Sequence, residues 1–244
     1  MDRTADTTRF VLLHTSHAGN VGAAARAMQV MGFADLVLVA PRDPAIARHA
    51  DAIAMASGAR AVLDRARVVG SLAEALVGVS CACATAMTPR DFGPPTFAPR
   101  DHFPTLAGQG LRVAFVFGSE RHGMSNDDVY RCHACLSIPT DPAYGSLNLA
   151  QAVQVIAYEW RQALGGFEVV PRAATRQPAS AERVQATLAH WQRVLVSIGF
   201  LDPAVPKKLM PRLNQLLNRA ALADEEVDIL RGIARCIESP RRRH

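Results

Sequence analysis

A chain of 244 residues, 49% hydrophobic and 20% charged, is long enough for one sizeable core with a small appendage and too apolar for wholesale disorder. No apolar run approaches the ~20 residues that span a bilayer, and the polar stretch Met1–Arg9 lacks the apolar segment of a secretory signal, so a cytoplasmic location is expected. Five cysteines in no regular framework argue against a disulfide scaffold, and the net charge of +5 is uneven: residues 1–170 carry 14 basic and 15 acidic side chains, residues 171–244 carry 13 and 7.

Arg9–Thr15 reads as a strand, and Asn20 stands where it can cap a helix over Val21–Met31 that Gly32 ends. Leu36–Val39 is a second, buried-type strand, and an Ala-rich helix is expected between Pro41 and Ser57. A short strand near Val68, a helix over Ser71–Val77 and a strand over Val79–Ala84 follow, and this alternation implies a parallel sheet covered on both faces. Five prolines between Thr88 and Gly110 predict a long loop or lid there rather than a helix. Val113–Phe117 is wholly apolar and suits a central strand. A short helix over Asn126–Cys132, a strand over Cys135–Ile138 and a long helix over Leu147–Leu164 complete a first domain, residues 1–168. Beyond a linker through Gly165 and Gly166, three amphipathic helices (Ala181–Ile198, Pro206–Asn218, Asp224–Ile237) make a basic second module, residues 169–244. Its basic excess suits a polyanion such as RNA, although a merely solvated helical face reads the same way.

Common nucleotide signatures are missing. There is no GxGxxG, and the P-loop-like glycine spacing of Gly118–Gly123 is followed by Met124-Ser125 where a lysine is required. Cys132-x-x-Cys135 is the sole CxxC, half a zinc site at most, and no complete metal-ligand set is expected. Three segments stand out instead, each after a strand, where open α/β sheets place ligands. They are Asn20-x-Gly22-x-x-x-Arg26, Gly118-x-Glu120-x-x-Gly123, and Ile138-Pro139 followed by Ser146-Leu147-Asn148. Each residue also has a plainer reading: Asn20 and Ser146 as caps, Arg26 as a surface ion-pair partner, Glu120 as a solvated loop carboxylate.

Taken together, His14-Thr-Ser-His-Ala-Gly-Asn-Val-Gly-Ala-Ala-Ala-Arg-Ala-Met28, Phe117–Met124, Ser146–Glu159 and Val227–Ile233 carry a family likeness over nearly the whole chain. The combination resembles the SPOUT class of RNA methyltransferases in its SpoU (TrmH-like) branch, and within it the TrmJ family of bacterial tRNA (cytidine/uridine-2'-O)-methyltransferases. The resemblance implies an α/β SPOUT fold with a parallel sheet and a C-terminal trefoil knot. It also implies an obligate homodimer, S-adenosylmethionine bound bent in the knot, and tRNA as substrate at nucleotide 32 of the anticodon loop. Such knots are rare, and nothing in the periodicity reveals one.

Carried onto this sequence, the resemblance implies cofactor contacts from Thr85, Ala86, Met87, Gly118, Ile138, Ser146 and Leu147, mostly through backbone groups. Asn20, Arg26, Glu120, Ser146 and Asn148 are the expected catalytic set. Arg90, Arg121, Lys207, Lys208, Arg212 and Arg219 are expected to meet RNA. Ser119 stands where related chains often carry a basic residue. The sulfonium methyl is already activated, so no metal is required. A guanidinium pKa lies above ~12, so Arg26 suits charge stabilisation of a developing alkoxide better than proton removal. Two other readings stay open on sequence alone: 2'-O-methylation at another RNA site, and RNA binding without catalysis.

Overall fold

The structure, a computed structural model, describes residues 8–86, 88–170 and 177–239. The chain divides into two compact units between Val169 and Val170. In the first, strands and helices alternate: β1 (Arg9–Leu13), α1 (Ala18–Val30), β2 (Asp35–Val39), α2 (Ala50–Ala56), α3 (Arg60–Asp64), β3 (Arg67–Val69), α4 (Leu72–Ala75) and β4 (Cys81–Thr85). Then come β5 (Thr96–Phe97), α5 (Pro99–Ala107), β6 (Val113–Phe117), α6 (Asn126–Tyr130), β7 (Ala134–Leu136) and α7 (Leu149–Ala163).

The seven strands form one sheet in the order β3-β2-β1-β6-β4-β7-β5, and every neighbouring pair is parallel. Two strands are laid in late: β6 between β1 and β4, and β7 between β4 and β5. The period-2 alternation of strand side chains builds two cores. Phe10, Leu12, Leu36, Leu38, Phe115 and Phe117 face α1, α2, α5 and α7. Val11, Leu13, Val37, Val39, Ala114 and Val116 face the opposite way, against Leu72, Ala75 and Val129. Aromatic side chains anchor the first core: Phe103 and Phe115 lie 5.2 Å apart, and Trp160 meets both edge-on. The Trp160 indole N–H, buried, donates to Thr8 Oγ1 at 2.8 Å, which satisfies the one polar atom it carries inside.

Three sequence expectations need correction. Helix α1 begins at Ala18 with His17 at the cap position, so Asn20 lies inside its first turn and does not cap it. Gly22 is also within α1, and a Cβ there would stand 2.0 Å from the Ala52 carbonyl oxygen; this glycine lets α1 lie against α2. The expected single helix over 41–57 is a 3-10 turn at Ile46–Arg48 followed by the short α2. Finally, the proline-rich stretch 88–110 is only partly loop: it contains β5 and α5. Pro99 sits in the first helical turn, where its missing N–H costs nothing. Pro104 is exposed in the α5 interior, while Phe103 and Leu106 bury the other face. Packing of two large apolar side chains outweighs one lost backbone hydrogen bond.

The second unit holds α8 (Ala181–Ser197), α9 (Leu209–Ala220) and α10 (Asp224–Glu238). Its small core is Val184, Leu188 and Val227, with Met210, Leu213, Leu217 and Leu222 against them. Arg183 ties α8 to α10 through Asp228 at 2.7 Å and Asp224 at 3.3 Å. Helix α9 starts at Leu209 rather than Pro206, because Lys207 turns the chain through a positive φ of 47°. Among the described residues, no helix is long and apolar enough to cross a membrane.

Candidate functional site

The carboxyl ends of β4, β6 and β7 open into a cleft of about 590 Å³, within the usual range for small-molecule sites. Apolar Leu136, Ile138 and Leu149 line it, and Thr85, Ala86, Gly118, Ser146 and Leu147 join them. Six of the seven residues expected to hold the cofactor are therefore together; Met87 lies outside the described residues. Thr85 Oγ1 donates to the Val116 carbonyl at 2.9 Å, so its hydroxyl is committed to the sheet and its backbone is what faces a ligand.

Gly118 sets the shape of the cleft. Ser119 and Gly123 pair as a tight antiparallel bridge, with N–H···O distances of 3.0 and 2.9 Å. A Cβ on Gly118 would stand 2.0 Å from the Gly123 carbonyl carbon, a clash no side-chain rotation relieves. Gly123 supplies the positive φ, 66°, that the return turn needs.

That turn aims Glu120 at the start of α1. Its carboxylate accepts from the Ser16 N–H at 3.2 Å, Ser16 Oγ at 3.4 Å, the His17 N–H at 3.4 Å and Asn20 Nδ2 at 3.1 Å. Burial alone would raise its pKa. Hydrogen bonds from Asn20, its own backbone and the Ser16 and His17 amides outweigh that and hold it below the ordinary carboxylate range. Glu120 is thus an anion at neutral pH. It supplies the negative charge that α1, with no side-chain cap and no acid in its first turn, lacks locally.

The network continues through Asn20. Its Oδ1 accepts from Asn148 Nδ2 at 3.0 Å, and Asn148 Oδ1 accepts the Ala150 N–H at 2.9 Å as the cap of α7. Gln151 reaches back to the Asn148 N–H at 3.3 Å and closes a capping box. Glu120–Asn20–Asn148 therefore locks together the loops after β1, β6 and β7. A second cavity of about 980 Å³ lies on the far side of this lock; Ser16, His17, Asn20, Arg42, His49 and Asn148 are among its walls. Asn148 borders both spaces.

The other expected residues fall as follows. Ser146 is exposed in the cleft wall, and Arg90 and Arg121 line the cleft too. The Arg90 Nε is buried and has no partner among the described residues, while its Nη1 donates to the Thr88 carbonyl at 3.3 Å. Arg26 is exposed on α1 and lines neither cavity, so the structure does not bring it to the cleft of its own chain. Lys207, Lys208, Arg212 and Arg219 are all exposed, with no ion pair among the described residues. Cys132 and Cys135 are buried free thiols, and burial pushes Cys132 up to about 12. Sequence reasoning missed Thr140 and Tyr144 in the cleft and Arg42 and His49 in the second cavity; these are isolated polar residues on loops, with no spacing to mark them.

A parallel sheet with late-inserted strands, and a cleft at its carboxyl edge built from three strand-to-helix loops, are what the SpoU class of methyltransferases presents. Residues 7–158 match the SpoU rRNA methylase family, and the chain belongs to that family of methyltransferases. Residues 182–244 match the C-terminal domain of tRNA methyltransferase TrmJ. The chain is 44% identical to a tRNA (cytidine/uridine/adenosine-2'-O-)-methyltransferase TrmJ of Pseudomonas aeruginosa, over 93% of this chain and 92% of that one. It is 40% identical to the tRNA (cytidine/uridine-2'-O-)-methyltransferase TrmJ of Klebsiella pneumoniae, over 94% and 96%. The crystal structure of TrmJ from Z. mobilis superposes with a TM-score of 0.81 at 33% identity, covering 95% of this chain and 99% of that one. Within the SpoU family, then, the chain is a member of the TrmJ group.

Proposed function

We propose that this protein transfers the methyl group of S-adenosylmethionine to a ribose 2'-hydroxyl of tRNA, at a cytidine or uridine at nucleotide 32 of the anticodon loop. The observation that carries the reading is the Glu120–Asn20–Asn148 lock, which puts one residue, Asn148, on the border of a cofactor-sized cleft and a second polar cavity. A two-substrate transfer needs such a shared border, because the reacting atoms must meet in line.

The cleft suits the cofactor on its own terms. Leu136, Ile138 and Leu149 offer an apolar seat for an adenine, the Gly118 turn brings backbone close, and the orphaned Arg90 Nε awaits an anionic group. When bound, S-adenosylmethionine supplies an activated methyl, so the burden on the protein is the weakly acidic ribose hydroxyl. Glu120, held as an anion by four donors, is the wrong group to take a proton and the right one to fix Asn20. Asn148 in turn is fixed by Asn20 at the entrance of α7. Ser146, with no hydrogen bond among the described residues, is free to meet the ribose. Arg26 stabilises the developing alkoxide, and the proton that the ribose hydroxyl loses passes to solvent or an RNA phosphate; since Arg26 does not reach its own cleft, it acts in that of a second copy, which makes the homodimer part of this proposal. The trefoil knot belongs to it as well, supported by the late insertion of β6 and β7. In the second unit, exposed Lys207, Lys208, Arg212 and Arg219 are proposed to hold tRNA phosphates.

The test is methyl transfer from labelled S-adenosylmethionine to unmodified tRNA transcripts, with the modified nucleotide mapped by mass spectrometry. A 2'-O-methylated pyrimidine at nucleotide 32 is expected. Base methylation, or no transfer to any tRNA, would sink the reading.

A further inference from the structure

The loop between β4 and β5 presents an aromatic side chain in a way nothing within the described chain explains. Phe92 is fully exposed and holds a φ of +59°. A bulky residue in the left-handed region is an outlier that glycine or asparagine would normally replace. It occupies the third position of a turn closed by the Gly93 N–H donating to the Arg90 carbonyl at 3.0 Å. That position in a turn with positive φ favours glycine.

The strain is not a sign of looseness, because both flanks are fixed. Tyr130 Oη, from α6, donates to the Asp91 carbonyl at 2.9 Å. Gly93 is packed so tightly that a Cβ there would stand 3.0 Å from Arg90 Cβ. Pro94 and Pro95 follow, and the Pro95 carbonyl accepts from the Cys135 N–H of β7 at 2.9 Å. A single exposed phenylalanine is ordinary; one that is strained and bare between hydrogen-bonded flanks costs stability, and such strain collects at functional positions. Thr88 and Arg90 of the same loop line the cofactor-sized cleft, and the Arg90 Nε is without a partner. Phe92 is thus two residues along the chain from a cation that lines this cleft.

We infer that Phe92 is a positioning residue whose ring stacks on the base of the target nucleotide or its immediate neighbour in single-stranded RNA. This rests on the reading of the protein as a ribose 2'-O-methyltransferase. A ribose can be brought to a cleft only if its nucleotide leaves the loop stack, and an unstacked base recovers its lost contact on an aromatic face beside an arginine. A ribose methyltransferase gains this way a purchase on the base that does not depend on reading its hydrogen-bonding edge.

The experiment compares Phe92→Gly, Phe92→Ala and Phe92→Trp with the wild type as full-length protein. Phe92→Gly relieves the backbone strain, so its melting temperature is expected to rise by about 2 °C or more, while its KM for tRNA rises about 5- to 100-fold, the scale of one lost base stack. Phe92→Ala is expected to raise KM similarly, and Phe92→Trp to keep KM within about twofold and to show quenching of the new indole on binding tRNA. Cofactor affinity by calorimetry should be unchanged in all three. The inference is overturned if Phe92→Gly and Phe92→Ala keep the wild-type KM, if cofactor affinity falls in parallel, or if the loss accompanies a change of oligomeric state on a sizing column, which makes Phe92 a contact between copies. Wild-type protein that methylates no RNA would instead defeat the functional reading itself.

Discussion

Replacing Glu120 with glutamine tests whether the lock is electrostatic and what it supports. The carboxylate accepts two donors on Oε2, both from Ser16, and two on Oε1, from His17 and Asn20. An amide offers one oxygen and one NH₂, so either pair of donors is left facing a donor. Two charge-assisted hydrogen bonds and the anion at the start of α1 go at once. Bonds to charged groups contribute about 1.5–3 kcal/mol; the long distances and partial solvent access place this loss near the lower end. For a protein of this size that is a fall of about 3–6 °C in melting temperature. Because the folded pKa lies below the unfolded value, the carboxylate's contribution is complete above the unfolded pKa and vanishes as pH falls through the folded one. The stability gap between wild type and Glu120→Gln should thus stay constant from about pH 5 to 8 and close below about pH 4.5. Thermal scans across that range measure it, with calorimetry for cofactor binding. A variant as stable as wild type at pH 7, or a gap that persists unchanged into acid, would refute the assignment of Glu120 as an ionised anchor.

Arg26→Ala is expected to leave cofactor affinity unchanged while single-turnover transfer falls by ~10²-fold or more, and Arg26→Lys should rescue poorly because a point charge cannot replace a planar fork; loss of cofactor binding would mean a structural role instead. Methyl transfer to a pre-folded transcript should survive EDTA, and inhibition reversed by a stoichiometric divalent ion would overturn the metal-free chemistry. Alanine at Lys207, Lys208 and Arg212 together should flatten the salt dependence of tRNA binding by roughly 0.7–0.9 log units per lost phosphate contact; an unaltered slope in a salt titration would remove these residues from the interface.

What could be read from the sequence was local, and what could not was tertiary. Val113–Phe117 and Leu36–Val39 announce buried parallel strands by their unbroken apolar runs. The cap of the long helix was misplaced: Ser146 reads as its cap, whereas the structure caps α7 with Asn148, whose box with Gln151 starts the helix at Leu149. The helix over Pro99–Ala107 was hidden because five prolines read as loop, and only the burial of Phe103 and Leu106 against Phe115 and Trp160 reveals why it forms. Asn20 looks like a cap because its true partners, Glu120 and Asn148, lie 100 and 128 residues away. No pattern of spacing reports a contact of that range. The placement of Arg26 was accessible in principle. Six residues at roughly 100° each put it about 120° around α1 from Asn20, on a different face from the one that joins the lock.

That angular offset gives the proposed homodimer a test. If Arg26 serves the alkoxide yet lines neither cavity of its own chain, a working site must draw its cofactor cleft from one copy and its arginine from another. Two defects in different parts of the site then become complementary. Leu147→Trp fills the cleft from an exposed position where the larger side chain costs little folding stability, and Arg26→Ala removes the cation. Each variant alone should keep only about a hundredth of wild-type activity or less as a homodimer. Co-expressed in equal amounts, about half of the dimers are mixed, and one of the two sites in each mixed dimer joins an intact cleft to an intact arginine, so the pool should recover about a quarter of wild-type activity. If Arg26 works within its own chain, every site in the mixed dimer keeps a defect, and the pool stays inactive. Tagging the two variants differently and purifying through both tags isolates the mixed species, so that silence cannot be blamed on failure to pair; a purified, inactive mixed dimer would return Arg26 to its own subunit and require closure of α1 over the cleft instead.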